Sequence, residues 1–416
     1  MHDTVCPIEC EELAHERGSL RIAVVTETYP PEVNGVATSA ARFLEGLRAR
    51  RHQIQLIRPR QGGADQSQEQ AGLEQVLTRG IAIPRYPTLK MGLPARRALA
   101  RLWTFRRPDV VHIVTEGPLG WSALQAATKL KLPVVSDFRT NFHAYSAHYG
   151  VGWLKKPILA YLRKFHNRTL ATMVPTEALR ADLAALGFRG LRVIARGIDT
   201  ALFDPARRDP GLRERWGARP EDPVLLYVGR IAAEKNLEVL AAAYEESRRR
   251  APGAKLVVVG DGPERAALEG RFPEAVFAGM RTGDDLARHY ASADIFVFPS
   301  LTETYGNVTL EAMASGLAVA AFDHAAAGEV IRHGVNGLLA ACGDAGSLVS
   351  EVAALASDPE RTRRLGREAR IEAGTRGWDR VVQQLESVLF AAADTLATPV
   401  PQGRLQRQAR RVLTPS

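Results

Sequence analysis

Glu303 and Glu311 stand with seven residues between them in FPSLTETYGNVTLEAMASG (298–316), on either side of a Tyr-Gly-Asn turn signal. The apolar run DIFVFPS (294–300) reads as a strand, and helix-forming residues begin near Gly306 or Asn307. Glu303 then falls on the loop at a strand's carboxyl end, with Glu311 about one turn inside the next helix. Eight helical steps span ~12 Å. That is too wide for two carboxylates working on one bond, which retaining glycosidases hold ~5–5.5 Å apart. It suits contacts at the two ends of one extended ligand. The N–H groups of Tyr305, Gly306 and Asn307 open a helix, a place that favours phosphate, and Gly306 allows close approach to the main chain. A carboxylate accepts from two neighbouring hydroxyls, on a hexose or on the 2′,3′ edge of a ribose. On spacing alone, a grip on sugar, diphosphate and ribose stands level with a surface loop carrying two solvated glutamates.

A second segment tips that balance. YVGRIAAEKN (227–236) leaves a strand and supplies Arg230 and Lys235 ahead of a helix. Two cations at one strand end can neutralise a diphosphate without a metal. The chain has no Asp-x-Asp pair, and Cys6, Cys10 and Cys342 give neither a disulfide framework nor a zinc spacing. No metal site and no cofactor are therefore expected, and a reduced, cytoplasmic setting is.

These residues need elements to position them, and short apolar runs alternating with helical patterns provide them. In the first half, strands are predicted at 21–27, 53–59, 109–115, 132–138, 171–176 and 192–199, with a helix from about Gly35 to Arg50. The pattern restarts at 223–229, 255–262, 275–279, 294–300 and 317–323. Such continuous apolar strands are buried on both faces, as in parallel sheets. Two βα series imply an α/β chain of two Rossmann-like, doubly wound parallel-sheet domains, with ligands at the strands' carboxyl ends and the site in the cleft between domains. The divisions expected are a polar leader (1–18), an N-terminal domain (19–200), a linker (201–222), a C-terminal domain (223–377), a helix returning toward the N-terminal domain (378–398) and a flexible tail (399–416).

The motifs VGR-x4-KN, GDGPE, FAG, ADIFVFPS-x2-E-x-YG-x4-EAMASG-x-AV and HGVNGLL resemble the C-terminal domain of the retaining glycosyltransferases of family four, which have the GT-B fold. TETYPPEVNGVATS and FRTNFHAY resemble that family's N-terminal glycine-rich loop and histidine-bearing strand end, and the likeness covers roughly residues 20–390. The resemblance implies a metal-independent transfer from a nucleotide-sugar donor with retained configuration. Arg230 and Lys235 would bind the diphosphate, Glu303 the donor sugar, Glu311 the ribose, and the backbone of Tyr305, Gly306 and Asn307 sugar and phosphate. Gly35 would approach the phosphates from the opposite domain, His143 would sit near the transferred sugar, and the base would meet the strand end FAGMR (277–281), Met280 included. Many relatives carry Asn in a Pro-Asn-Gly-Val-Asp segment where this chain has Arg196 in ARGID, a residue placed to contact phosphate or to reach the acceptor. His112, His148 and His289 have no such support and read as structural.

Charge points to the partner. Residues 1–200 carry 28 Lys+Arg against 17 Asp+Glu, and residues 201–416 carry 27 against 29, so the net charge of +9 resides in the first half. KMGLPARRALARLWTFRR (90–107) has six basic residues and no acid, with Leu93, Leu99, Leu102, Trp103 and Phe105 interleaved. GWLKKPILAYLRKFHNR (152–168) repeats the style. Such helices lie in anionic membrane interfaces, unless their apolar residues pack on the sheet. The expected acceptor is a lipid or glycolipid and the expected donor GDP-mannose, with a UDP-sugar or a soluble acceptor as rivals. The expected place is the cytoplasm, peripheral on the inner face of the plasma membrane. A nucleotide-sugar epimerase or hydrolase on a similar scaffold is a further rival. Nucleic-acid binding would leave the two-glutamate loop unexplained, and no helix-turn-helix or aromatic sheet motif supports it.

Overall fold

The computed structural model describes residues 18–32, 34–62, 65–67, 69–83, 86–138, 155–303 and 305–395. Two parallel sheets form from the two βα series, as the buried apolar runs require. The first domain contains β1 (Arg21–Val25), β2 (Gln53–Pro59), β3 (Glu69–Gln70), β4 (Leu73–Thr78), a hairpin of β5 (Gly80–Ile83) and β6 (Tyr86–Gly92), β7 (Val110–Ile113), β8 (Val134–Asp137), β9 (Ala171–Val174) and β10 (Leu191–Val193). Its sheet runs β10-β9-β8-β7-β1-β2-β4-β3, parallel except for the β3–β4 pair. The helices are α1 (Gly35–Ala49), α2 (Arg96–Phe105), α3 (Pro118–Lys129), α4 (Lys155–His166) and α5 (Glu177–Ala185).

The second domain has β11 (Val224–Val228), β12 (Lys255–Val259), β13 (Val276–Gly279), β14 (Ile295–Phe298), β15 (Ala318–Phe322) and β16 (Leu338–Ala340), ordered β13-β12-β11-β14-β15-β16 and wholly parallel. Around it lie α6 (Pro210–Arg215), α7 (Leu237–Arg250), α8 (Arg265–Arg271), α9 (Gly283–Ser292), α10 (Asn307–Ala314), α11 (Ala325–Val330), α12 (Ala345–Ser357) and α13 (Pro359–Gly374). Both sheets reverse their strand order once, between β1 and β7 and between β11 and β14. A doubly wound sheet opens a ligand crevice at that point.

Several sequence expectations change. The segment 201–222 is no loose linker: Phe203, Leu212, Trp216 and Ala218 are buried in the core of the second domain. Arg213 of α6 ties it down, donating to the Ser292 carbonyl at 2.9 Å and to Asp294 at 3.0 Å. Pro205 starts a 3-10 turn and Pro210 starts α6 rather than loosening the chain. The strands β3 to β6 and β16 lie outside the apolar runs read from the sequence. β4 is half-exposed along most of its length and so lacks the apolar run that marks a buried strand.

The basic stretches also read differently. Lys90 to Gly92 belong to β6, and Leu99 and Trp103 of α2 are buried on the first sheet. In α4, Leu162 and Phe165 are buried too. The basic side chains Arg96, Arg97, Arg101, Lys156, Arg163 and Lys164 face solvent, and Phe105 remains 79% exposed among them. Among the described residues, no helix is long and apolar enough to cross a membrane.

The chain crosses between domains twice, side by side. Ile198 forms a parallel bridge with Gly377, and its N–H donates to the Arg376 carbonyl at 3.0 Å. The last helix, α14 (Trp378–Asp394), then packs on the first domain, burying Val381, Val382, Leu385 and Leu389 beside α1 and β1. His52 and Glu386 meet at 2.8 Å, and Trp378 sits edge-on to Phe43. The helix thus completes the first domain's core from the far end of the chain. Leu385→Ala is expected to cost ~2–5 kcal/mol, as for other buried leucines, and to shift the denaturant midpoint of the first domain. An unchanged midpoint would show that α14 does not complete that core.

Candidate active site

The strand-order reversal of the second sheet puts the exits of β11 and β14 side by side, and these exits carry the predicted residues. Arg230 and the 3-10 turn Ala233–Lys235 follow β11, while Ser300, Thr302 and Glu303 follow β14. The two loops are joined by side chains. The Lys235 ammonium makes a short ion pair with Oε1 of Glu303, which also accepts from the Ser300 hydroxyl at 3.0 Å. The Thr302 hydroxyl donates to the Glu234 carbonyl at 3.1 Å, and Arg230 pairs with Glu234 at 3.1 Å. Lys235 and Glu303 are both largely buried, so neither cation nor carboxylate is left uncompensated in the protein.

Beyond Glu303 the chain turns into α10 through Gly306, whose φ of +89° is a left-handed conformation that glycine adopts without strain. Among the described residues no side chain caps this helix start, so its first N–H groups are left to solvent or a ligand, the kind of position that favours anions. Tyr305 contributes backbone only. Its ring is buried, and its hydroxyl donates to the Arg196 carbonyl at 3.3 Å. One turn on, half-buried Glu311 accepts from the Tyr290 hydroxyl at 2.9 Å. Burial pushes its carboxyl up to about 7, against the lowering effect of Tyr290. Tyr290, on α9, carries no signal in the sequence; only the packing brings it to Glu311. Met280 is 60% exposed after β13, the edge strand two positions from the reversal.

The first domain faces this cluster with the start of α1. Asn34 caps it, its Oδ1 accepting from Val36 and Ala37 at 3.1 and 2.9 Å, and its Nδ2 donates to the Thr28 hydroxyl at 2.7 Å. Gly35 is the first helical residue and is exposed toward the cleft. Between the two helix starts lies Arg196. Its Nη1 donates to the Gly35 carbonyl at 3.3 Å and to Asn307 Oδ1 at 3.1 Å, and its guanidinium lies 5.7 Å from the Tyr305 ring centroid. Arg196 therefore contacts both domains at the point where α1 and α10 converge. Glu329 of α11 makes a second link, accepting from the Glu177 and Ala178 N–H groups at the start of α5. No spacing in the sequence indicates that contact.

The structure thus brings Gly35, Arg196, Arg230, Lys235, Glu303, Tyr305, Gly306, Asn307 and Glu311 to one crevice. His143 lies outside the described residues, as does His148. His112 is buried against Asp137 at 3.2 Å, and His289 is buried on α9 with burial lowering its basicity, in keeping with structural roles.

Comparison with known proteins bears on the family and the fold. Residues 222–358 match the family described as Glycosyl transferases group 1, and residues 33–202 match Glycosyltransferase Family 4. A GDP-mannose-dependent alpha-mannosyltransferase of Mycobacterium tuberculosis is 36% identical over 330 residues, covering 78% of this chain and 85% of that protein. The sulfoquinovosyl transferase SQD2 of Arabidopsis thaliana is 32% identical over 384 residues, covering 90% and 74%. In fold, the chain is similar to Anabaena Alr3699/HepE in complex with UDP, with a TM-score of 0.72 at 19% identity, covering 89% of this chain and all of that one.

A ribose hydroxyl donates to an ionised carboxylate but not to a protonated one in the same way. Nucleoside diphosphate affinity is therefore expected to rise roughly tenfold between pH 6 and 8, as Glu311 ionises around 7. Calorimetric titration checks it. An E311Q variant should bind more weakly and lack the part of that rise due to this carboxyl; an identical pH profile would remove Glu311 from the ligand.

Proposed function

This chain belongs to glycosyltransferase family 4, and on that premise we propose that it moves a hexose, mannose from GDP-mannose in the first instance, onto a hydroxyl of a membrane lipid or glycolipid. It is a GT-B glycosyltransferase; the donor, the acceptor and the stereochemistry are the proposal. The observation that carries the reading is the Lys235–Glu303 pair at the β11/β14 reversal, beside the uncapped start of α10. A nucleotide sugar offers each partner a replacement. Its diphosphate takes Lys235, Arg230 and the α10 N–H groups, and its sugar hydroxyls take Glu303. The exchange gives Lys235 an anionic partner and leaves Glu303 with hydroxyl donors, so neither group is stripped of partners in the crevice.

Chemistry then rests on charge stabilisation. As the bond between the sugar's anomeric carbon and the diphosphate oxygen breaks, negative charge grows on the leaving group. Arg230, Lys235, Arg196 and the α10 helix start are aimed at that charge. The acceptor hydroxyl attacks from the same face, its proton passing to the leaving phosphate oxygen, and the configuration at the anomeric carbon is kept. Arg, Lys and helix N–H groups supply the counter-charge without a metal. Among the described residues, no three His, Cys, Asp or Glu side chains cluster as metal ligands.

For the acceptor, the support is the names of the relatives, among them an alpha-monoglucosyldiacylglycerol synthase of Streptococcus pneumoniae at 29% identity, and the basic face of the first domain. Exposed Phe105, flanked by Arg101, Arg106 and Arg107, gives that face an apolar tip for an anionic bilayer.

Arg230→Ala or Lys235→Ala is expected to lower turnover by about 10²–10³, with EDTA leaving the wild-type rate unchanged. Survival of full activity in both variants would overturn the site assignment. In thermal-shift assays GDP is expected to stabilise the protein more than UDP or ADP; a UDP-specific shift would replace mannose from GDP-mannose as the donor. Flotation with phosphatidylglycerol vesicles, but not phosphatidylcholine ones, should weaken about fivefold for each of Arg101→Glu and Arg106→Glu. Equal flotation of wild type and variants would refute the membrane face.

A further inference from the structure

The first sheet has a hollow at its carboxyl edge that none of the residues assigned to the donor lines. A cavity of about 480 Å³ lies where the exits of β1 and β2 meet β4, walled by Tyr29, Arg58, Asp65, Gln66, Ser67 and Gln75. Its size falls within the ~300–1,000 Å³ of small-molecule sites, and the carboxyl ends of a doubly wound sheet are where ligands bind. Arg58 is buried, and every N–H of its guanidinium is already spent. Nη1 and Nη2 make a two-pronged pair with the Asp65 carboxylate at 2.6 and 2.8 Å. Nη1 also donates to the Pro59 carbonyl at 3.4 Å, while Nε and Nη2 donate to Oε1 of Gln75 at 3.3 and 3.0 Å. The hydrogen bonds from Arg58 hold the Asp65 carboxyl below its usual range. Cation and anion cancel inside the protein.

What the cavity offers a ligand is polar but neutral. Among the described residues, the Tyr29 and Ser67 hydroxyls, the Gln66 amide and Nε2 of Gln75 have no protein partner. Oδ1 of Asp65 accepts a single bond, from Arg58, and keeps an acceptor position. Hydroxyls and amides that each give or take single hydrogen bonds complement a polyhydroxylated ring. A phosphate or carboxylate finds no unspent cation among these lining groups. We propose that this cavity holds the uncharged sugar ring of a glycolipid acceptor, so that a glycosylated lipid rather than a bare diacylglycerol is the substrate. This rests on the transferase reading above and chooses between its two acceptor classes. The position suits transfer, because the loop that supplies Tyr29 runs on through Asn34 to Gly35, at the start of α1 and toward the donor. That loop is braced by its own side chains: the Thr28 hydroxyl donates to Glu32 and accepts from Nδ2 of Asn34 at 2.7 Å. One braced turn therefore separates the seat of the acceptor ring from the donor crevice.

The test uses the full chain and the double variant Tyr29→Phe with Ser67→Ala, which removes two hydroxyls and little volume. With a monoglucosyl diacylglycerol as acceptor, the acceptor KM is expected to rise about tenfold, the loss of two hydrogen bonds, while the donor KM stays within about twofold. Amide hydrogen exchange gives a readout free of turnover. In wild type saturated with GDP, methyl glucoside or methyl mannoside should slow exchange in peptides covering 58–62 and 73–78, and inorganic phosphate should not. The double variant should lose that protection. Gln66→Ala, on the exposed rim, should shift the acceptor KM in the same direction by less, and serves if the double variant does not fold. Equal rises in both KM values, or protection by phosphate alone, would overturn the inference. So would transfer to bare diacylglycerol only, with a KM that the variant leaves unmoved, although the lipid reading then survives. If wild type transfers to no lipid while the methyl glycosides still protect wild type and not the variant, the lipid reading has failed and the ring site stands.

Discussion

The site depends on one electrostatic constraint: Lys235 and Glu303 neutralise each other across the exits of β11 and β14. Parallel strands in a doubly wound sheet must reverse order somewhere, and loops meet at their carboxyl ends only there. A cation on one loop and a carboxylate on the other hold the crevice in shape while it is empty, and both are groups a nucleotide sugar can replace. The adjoining start of α10 adds main-chain donors that need no side-chain rearrangement. A pre-formed, internally compensated site of this kind suits a reaction whose main demand is stabilising charge on a leaving group.

The second constraint is the paired crossing between domains. Residues near Ile198 and near Gly377 run side by side, and α14 closes the first domain's core with residues from the far end of the chain. Neither domain can be understood as a separate stretch of sequence. Arg196 stands on the first of these crossings and touches the starts of α1 and α10 together. Its guanidinium is held by groups from both domains. The link from Glu329 to the start of α5 adds a further contact between the two halves.

Much of the second domain's crevice was legible because its residues are local. Arg230 and Lys235 lie within one strand exit, and Glu303, Gly306 and Glu311 within one loop and helix, so a motif of a dozen residues carries them. The first domain's long-range contacts were not. Glu27 accepts from the Leu119 N–H, 92 positions away, and no local pattern announces such a contact. In the basic helices the packing divides what the sequence pattern left together, Phe105 staying exposed. Their interleaved leucines and Trp103 look like a membrane face, yet a helix on a sheet must bury one apolar stripe, and the sheet claims Leu99, Trp103, Leu162 and Phe165.

Continuous apolar runs, which only a sheet buried on both faces tolerates, determined by themselves the two-domain α/β class and the main strands of both series. The residue types at two strand exits pointed to diphosphate-and-sugar chemistry. Three-dimensional packing alone decided which carboxylate sits against Tyr290, that Arg196 spans the cleft, that 201–222 belongs to the second core, and that Glu27 fills the α3 start. Those outcomes come from contacts between segments distant along the chain, whose partners are chosen by strand order and burial rather than by spacing.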